Sequence, residues 1–183
     1  GIDFLSFSGH KMFAQTGVGV LYVSPRVQNQ MKPPLYGGGM AEAVPSDPLC
    51  KKLEAGTLNM AGVISMNAAL DFIKNNPVSE NLANLTQHLY GQILQNPRID
   101  LLYEQKPYAL ERLSGIASFT IEGWDSGELG DVLADNDIFV RTGRHCTGAQ
   151  DSSRISLQAY NTKEEIDKTC ALLHKLSEHG LSL

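Results

Sequence analysis

Cysteine is scarce in this chain: only Cys50, Cys146 and Cys170 occur among 183 residues. An odd number at wide spacings excludes a disulfide framework, and no C-x-x-C pair is present to hold zinc. A reducing, cytoplasmic setting is therefore expected. Long apolar runs, low-complexity tracts and internal repeats are also missing, which argues against a membrane span. Basic clusters are missing too. Lys and Arg total 15 against 20 Asp and Glu, and only Arg141 and Arg144 sit close together, so neither nucleic acid nor an anionic membrane is expected as the main partner. The amino terminus has no basic stretch leading into an apolar one, the pattern of a secretory signal. Instead Gly1 leads into "IDFLSFS", which alternates like a strand from the middle of a sheet, and the chain is expected to begin inside a fold.

What is present reads as an α/β chain in two pieces. Residues 2–7 and 18–23 are predicted strands around a turn-rich loop, and Pro25, Pro33 and Pro34 then break the pattern. "LYGGGM" and the residues on to Pro48 read as a long excursion. Asn59 is expected to cap a helix over 60–74 with Ile64, Ala68 and Phe72 at helical spacing. A second helix opens at Ser79 with Leu82, Leu85, Leu89 and Ile93 on one face, and Asn96-Pro97 closes it. Strands are predicted over 99–103 and 115–121, then a helix capped by Ser126 that ends near Asn136. Two short strands, 138–141 and 154–157, flank a Gly- and Ser-rich loop. Thr162 and Glu165 form a capping box for the last helix, with Ile166, Thr169 or Cys170, Leu173 and Leu176 facing inward and Gly180 ending it. Residues 1–74 are expected to be part of a larger sheet domain, and 75–183 a complete small α/β domain.

Three stretches carry chemistry. In "SFSGHKMFAQTGVGVLYV", Lys11 by position alone reads as a solvated charge. Its company changes that reading. Ser8 offers a hydroxyl, Gly9 a tight turn and His10 a ring nitrogen, a set able to surround an anion and hold an amine. Desolvation or neighbouring cations make such an amine nucleophilic, and its natural partner is an aldehyde cofactor bearing a phosphate. In "VRTGRHCTG", Cys146 lies on a glycine-punctuated loop beside Arg141, Arg144 and His145, a cationic neighbourhood that favours a thiolate. Cys170 on a buried helix face reads instead as an inert small hydrophobe, and so does Cys50.

The first stretch resembles the cofactor-lysine segment of class V aminotransferase-fold enzymes that depend on pyridoxal phosphate, and within them the cysteine desulfurases of the sulfur-mobilisation type. The resemblance extends over nearly the whole chain and implies the carboxy-terminal part of the aspartate-aminotransferase-like fold. It implies that Lys11 anchors pyridoxal 5'-phosphate covalently while Ser8 and His10 contact the phosphate. "VRTGRHCTG" is similar to the family's sulfur-accepting loop, making Cys146 the persulfide carrier. "LEAGTLN" resembles a segment whose threonine, here Thr57, reaches the phosphate of the neighbouring subunit; by position alone Thr57 reads as a helix cap. "SRISLQAYNTKEEID" resembles the segment whose arginine, here Arg154, holds the substrate α-carboxylate through paired N–H donors; by itself Arg154 reads as a surface ion pair.

The reaction implied by the resemblance converts L-cysteine to L-alanine with a persulfide left on Cys146 for a sulfur-acceptor protein, in a homodimer. Lys11 would move protons, Arg154 would orient the substrate, and Arg141, Arg144 and His145 would keep Cys146 anionic. Three departures stand against it. The loop from Cys146 to Arg154 is shorter than is usual in the family, Arg144 stands where relatives have a histidine, and the upstream half that would pack on the pyridine ring lies outside this sequence. These residues alone are therefore expected to bind the cofactor poorly and to be inactive. Selenocysteine cleavage, transamination, epimerisation and a non-catalytic interaction module are the alternatives.

Overall fold

The computed structural model describes residues 1–40, 47–102, 114–145 and 150–179. The chain divides into two compact units, Gly1–Asn76 and Pro77–Leu183. Among the described residues no helix is long and apolar enough to cross a membrane.

The first unit is built around a two-stranded antiparallel sheet, β1 (Phe4–Ser8) and β2 (Gly19–Val23), in register from Phe4↔Val23 to Ser8↔Gly19. The pairing is antiparallel, whereas a strand from the middle of a larger α/β sheet would have parallel neighbours. The short connection between β1 and β2 explains the difference, because an antiparallel pair closes through a tight turn whereas a parallel pair needs a crossover of about a dozen residues or more. Part of that connection is a 3-10 turn, Gly9–Met12. Short helices α1 (Pro25–Gln28) and α2 (Leu49–Leu53) follow, then α3 (Met60–Asn75). Asn59 caps α3 as expected, its Oδ1 accepting from the Gly62 N–H at 3.0 Å.

The buried face of α3 is not the predicted one. Gly62, Met66 and Ala69 are buried, whereas Ile64 is 66% and Phe72 48% exposed. Gly62 decides this: a methyl group there would lie 2.8 Å from the Cβ of Val18, so the missing side chain lets the strand loop close onto this side of the helix. Phe4, Leu5, Leu21 and Tyr22 of the sheet are also exposed.

Among its described residues the second unit has a four-stranded antiparallel sheet with three helices. It runs α4 (Val78–Ile93), β3 (Ile99–Leu101), β4 (Ile116–Ile121), α5 (Ser126–Ala134), β5 (Arg141–Gly143), β6 (Ser152–Ser156) and α6 (Lys163–His179), with the strands in the order β3-β4-β6-β5. Alternation along the strands sends Ala117, Phe119, Ile121 and Ile155 to one face. There they meet Leu89 and Ile93 of α4, Leu129 and Leu133 of α5, and Ile166, Cys170 and Leu173 of α6. The capping box of α6 forms in full: the Thr162 N–H donates to Glu165 Oε2 at 3.0 Å, and Thr162 Oγ1 accepts from the Glu165 N–H at 3.2 Å.

Two boundaries differ from the sequence reading. Asp125, not Ser126, caps α5, its Oδ1 accepting from the Gly127 N–H at 2.8 Å and the Glu128 N–H at 3.3 Å. Residues 138–140 are not strand. The Ile138 N–H is used by the end of α5, donating to the Leu133 carbonyl at 2.9 Å, so the ladder starts only at Arg141. Tyr103 and Gly180 lie outside the described residues.

Candidate functional site

The Lys11 turn is seated firmly. The Gly9 N–H donates to the Val18 carbonyl at 2.8 Å, the Ala14 N–H to the Gly9 carbonyl at 3.1 Å, and the Gln15 N–H to Ser65 Oγ on α3 at 2.8 Å. Gly9 is buried at a place no side chain fits: an added methyl would lie 2.8 Å from both Met66 Cε and Val18 Cγ1. Phe13, in the left-handed region at φ 68°, turns the chain out of the 3-10 segment and stacks edge-on against Phe72 with ring centroids 5.3 Å apart. The tight loop thus becomes a fixed platform.

His10 and Lys11 stand exposed on that platform, with Ser8 half-buried at its start. Ser8 occupies the N-cap position, yet its side chain makes no capping hydrogen bond. Neither the Lys11 ammonium nor the His10 ring has an ion pair or side-chain hydrogen bond among the described residues. Ser8, His10 and Lys11 therefore offer a hydroxyl, an imidazole and a primary amine, a donor set suited to a phosphorylated aldehyde.

Thr57 lies exposed after Gly56, whose φ is 84°. It takes no part in capping α3, which falls to Asn59. The same Asn59 ties this segment to the lysine loop, its Nδ2 donating to the Gly17 carbonyl at 3.0 Å. Thr57 and Lys11 therefore belong to segments fastened by one side chain. That link was not anticipated from the sequence.

In the second unit, Arg154 lies in the middle of β6 with Ser118 opposite it on one side and Arg141 on the other. All three share the sheet face away from the core helices. His145 follows Gly143 by two residues at φ 48°. Both of its ring nitrogens are buried without a hydrogen-bond partner, and so are Ser152 Oγ and Arg154 Nε. Burial, and next the Arg154 charge, hold the His145 pKa below its ordinary 6.5. Arg141 acts in the same sense. The Ser152 backbone and Asp151 pull the other way without cancelling them, and neither ring nitrogen closes a hydrogen bond of normal geometry.

This changes the part expected of His145. A lowered pKa leaves the ring neutral at pH 7, so His145 does not carry the positive charge expected of it. Arg144 shares its charge with Asp151 at 3.5 Å, both side chains being well exposed. Cys146 itself lies outside the described residues. Cys50 is exposed, whereas Cys170 is fully buried in the core with its thiol pKa pushed up to about 12 by burial, and secondarily by Asp167. Among the described residues no cluster of His, Cys, Asp and Glu is suited to a metal.

Known proteins resemble this chain over most of its length. A family model described as aminotransferase class-V matches residues 1–169. Curated relatives named probable cysteine desulfurase include one from Halobacterium salinarum, 33% identical over 92% of this chain and 43% of its own length. Another, from Synechocystis, is 37% identical over 90% of this chain and 42% of its own length. The chain thus spans less than half the length of these relatives. Among solved structures, the apo cysteine desulfurase from Thermococcus onnurineus superimposes with a TM-score of 0.85 at 28% identity, over 96% of this chain and 47% of that one. The Escherichia coli cysteine desulfurase CsdA (S-sulfonic acid) gives 0.82 at 29% identity, over 97% and 46%. A family match over residues 1–169, joined to a fold shared with these solved structures, leads to one conclusion: the chain belongs to the aminotransferase class-V family.

Proposed function

We propose that this chain carries the cofactor-lysine and sulfur-accepting parts of a pyridoxal-phosphate-dependent cysteine desulfurase, which converts L-cysteine to L-alanine and leaves the sulfur as a persulfide on Cys146. The observation that carries the reading is the Gly9–Met12 turn, fixed by backbone bonds and α3, with a hydroxyl, an imidazole and an amine left for a ligand. Pyridoxal phosphate suits that donor set: Lys11 meets the carbonyl carbon, and Ser8 and His10 donate to phosphate oxygens, joined by Thr57 from a neighbouring subunit of a homodimer. When bound, the group supplies an electron sink for bond breaking next to the amino-bearing carbon.

The chain's own residues do the rest. Arg154 fixes the substrate carboxylate and so the orientation of the carbon–sulfur bond. The Lys11 amine takes a proton from the substrate α-carbon and delivers one to the β-carbon, the place vacated by sulfur. The Cys146 thiolate attacks the substrate sulfur, the sulfur–carbon bond breaks, and the transferred sulfur remains on Cys146. Arg141 and Arg144 favour the attacking thiolate. A cytoplasmic acceptor protein with its own thiol then removes the sulfur.

Mixing the chain with pyridoxal phosphate, reducing with borohydride and mapping the modified peptide tests the anchor. Label on Lys11, lost in Lys11→Ala, is the expected result, and label spread over several surface lysines would refute it. In the whole enzyme that contains these parts, alanine release from L-cysteine should fall to background in Cys146→Ser. Undiminished release in that variant would rule out desulfuration through this cysteine.

A further inference from the structure

The strand β6 holds a second polar residue that the proposed reaction has not used. Ser152 precedes Arg154 by two positions, so both side chains leave the same face of the sheet, while Ser153 between them turns to the core side opposite Phe119. Ser152 is fully buried, and its Oγ has no hydrogen-bond partner. A buried hydroxyl in that state is destabilising unless something meets it. The Arg154 Nε, also buried and unpartnered, is in the same condition. An orphaned hydroxyl and an orphaned guanidinium N–H on one face, with Arg141 across the ladder from Arg154, form a site rich in donors and positive charge. The nearest carboxylate in sequence, Asp151, is exposed and turned to Arg144. Among the described residues neither orphaned atom meets an acceptor oxygen, which is what a carboxylate would bring.

We infer that Ser152 is a binding residue for the same carboxylate that Arg154 takes, its Oγ–H donating to one oxygen while the Arg154 Nε–H donates to the carboxylate side-on. This rests on the carboxylate role proposed for Arg154 and adds a second donor to it. The orphaned atom is Nε, which lies on the side edge of the guanidinium, so the grip runs along that edge. Two donors on adjacent same-face positions of one strand set the tilt of the carboxylate plane, which a lone arginine leaves free to rotate.

The test is nitrogen-15 NMR of the full chain titrated with sodium acetate, with sodium chloride at matched ionic strength as control. The Arg154 Nε–Hε resonance is assigned by its loss in Arg154→Lys. A saturable shift with acetate and none with chloride is expected, and Ser152→Ala should weaken acetate binding about tenfold or more, the effect of losing one hydrogen bond to a charged group. Ser152→Cys, close in size and a poor donor, should weaken it similarly and decides the matter if the alanine variant fails to fold. Saturation in the native chain with unchanged affinity in both variants would remove Ser152 and leave the Arg154 role standing. No saturable shift in the native chain, or an equal shift with chloride, would overturn both.

Discussion

Arg141 stands directly opposite Arg154 in the β5–β6 ladder, two guanidinium groups on one sheet face. Like charges opposed across an antiparallel pair are destabilising, by a few tenths of a kcal/mol up to about 1 kcal/mol. The pair is therefore expected to show a repulsive coupling at low salt in an Arg141→Gln/Arg154→Gln double-mutant cycle, which isolates this one interaction from every other contact of either residue. The coupling should shrink at ionic strengths well above about 0.15 M, where the screening length falls below about 8 Å. Urea unfolding at two salt concentrations measures it. A coupling of zero at low salt would mean that the two guanidinium groups do not feel each other across the ladder.

His145 makes a second prediction, in which the sign matters. Burial and the Arg154 charge hold its pKa in the folded chain below the ordinary 6.5. Between the two values the unfolded chain binds the extra proton, so the contribution of this residue is complete above about pH 6.5 and is lost as pH falls through the folded-state pKa. Asp3, Glu165 and Asp167 also have lowered pKa values, but their ordinary values of 3.8, 4.5 and 3.8 place their losses at more acid pH. Ring NMR should show His145 titrating below 6.5, and His145→Gln should flatten the decline in stability just below that pH. A midpoint above 6.5 would restore His145 as a cation beside Cys146.

Much of this was legible in the sequence because it depends on local chemistry. The capping box of Thr162 and Glu165, the cap at Asn59 and the inward stripe of α6 follow from residue type and spacing, and all appear in the structure. What escaped depends on contacts distant along the chain. The stripe of Ile64, Ala68 and Phe72 has helical period, but only the approach of Val18 to Gly62 selects the face of α3 buried within the first unit. The neutral state of His145 was likewise invisible: the sequence shows cations near it, but not the burial that lowers its pKa. Ser152 was missed because the predicted strand began two residues late, at Arg154, which hid the shared face.

The three cysteines should separate by reactivity. Cys170 is fully buried with a pKa of about 12, so almost no thiolate exists at neutral pH. Cys50 is exposed. Alkylation of the native chain with iodoacetamide, read by peptide mass, is expected to label Cys50 and, fastest, Cys146, with Cys170 labelled only after unfolding. Labelling of Cys170 at the native rate of Cys50 would mean that α6 opens far more readily than its packed face implies.

Gly130 offers a test in which two effects oppose each other. It lies inside α5, where alanine would be favoured over glycine by about 1 kcal/mol on helix propensity. Yet a methyl there would sit 2.5 Å from Thr142 Cγ2 on β5, and the branched threonine has few rotamers in which to yield. Overpacking of this kind costs about 1–3 kcal/mol, so Gly130→Ala is expected to destabilise the chain despite the gain in propensity. Thr142→Ser removes the offending methyl, and on that background Gly130→Ala should become neutral or stabilising, giving a coupling energy on the order of 1 kcal/mol or more in a double-mutant cycle. Thr142 adjoins Arg141, so the clash should also move β5 and perturb acetate binding at Arg154, an effect absent from the double variant. If Gly130→Ala stabilises the chain without the second change, α5 is not held against β5 at this point, and the packing that sets the height of the arginine face must lie elsewhere.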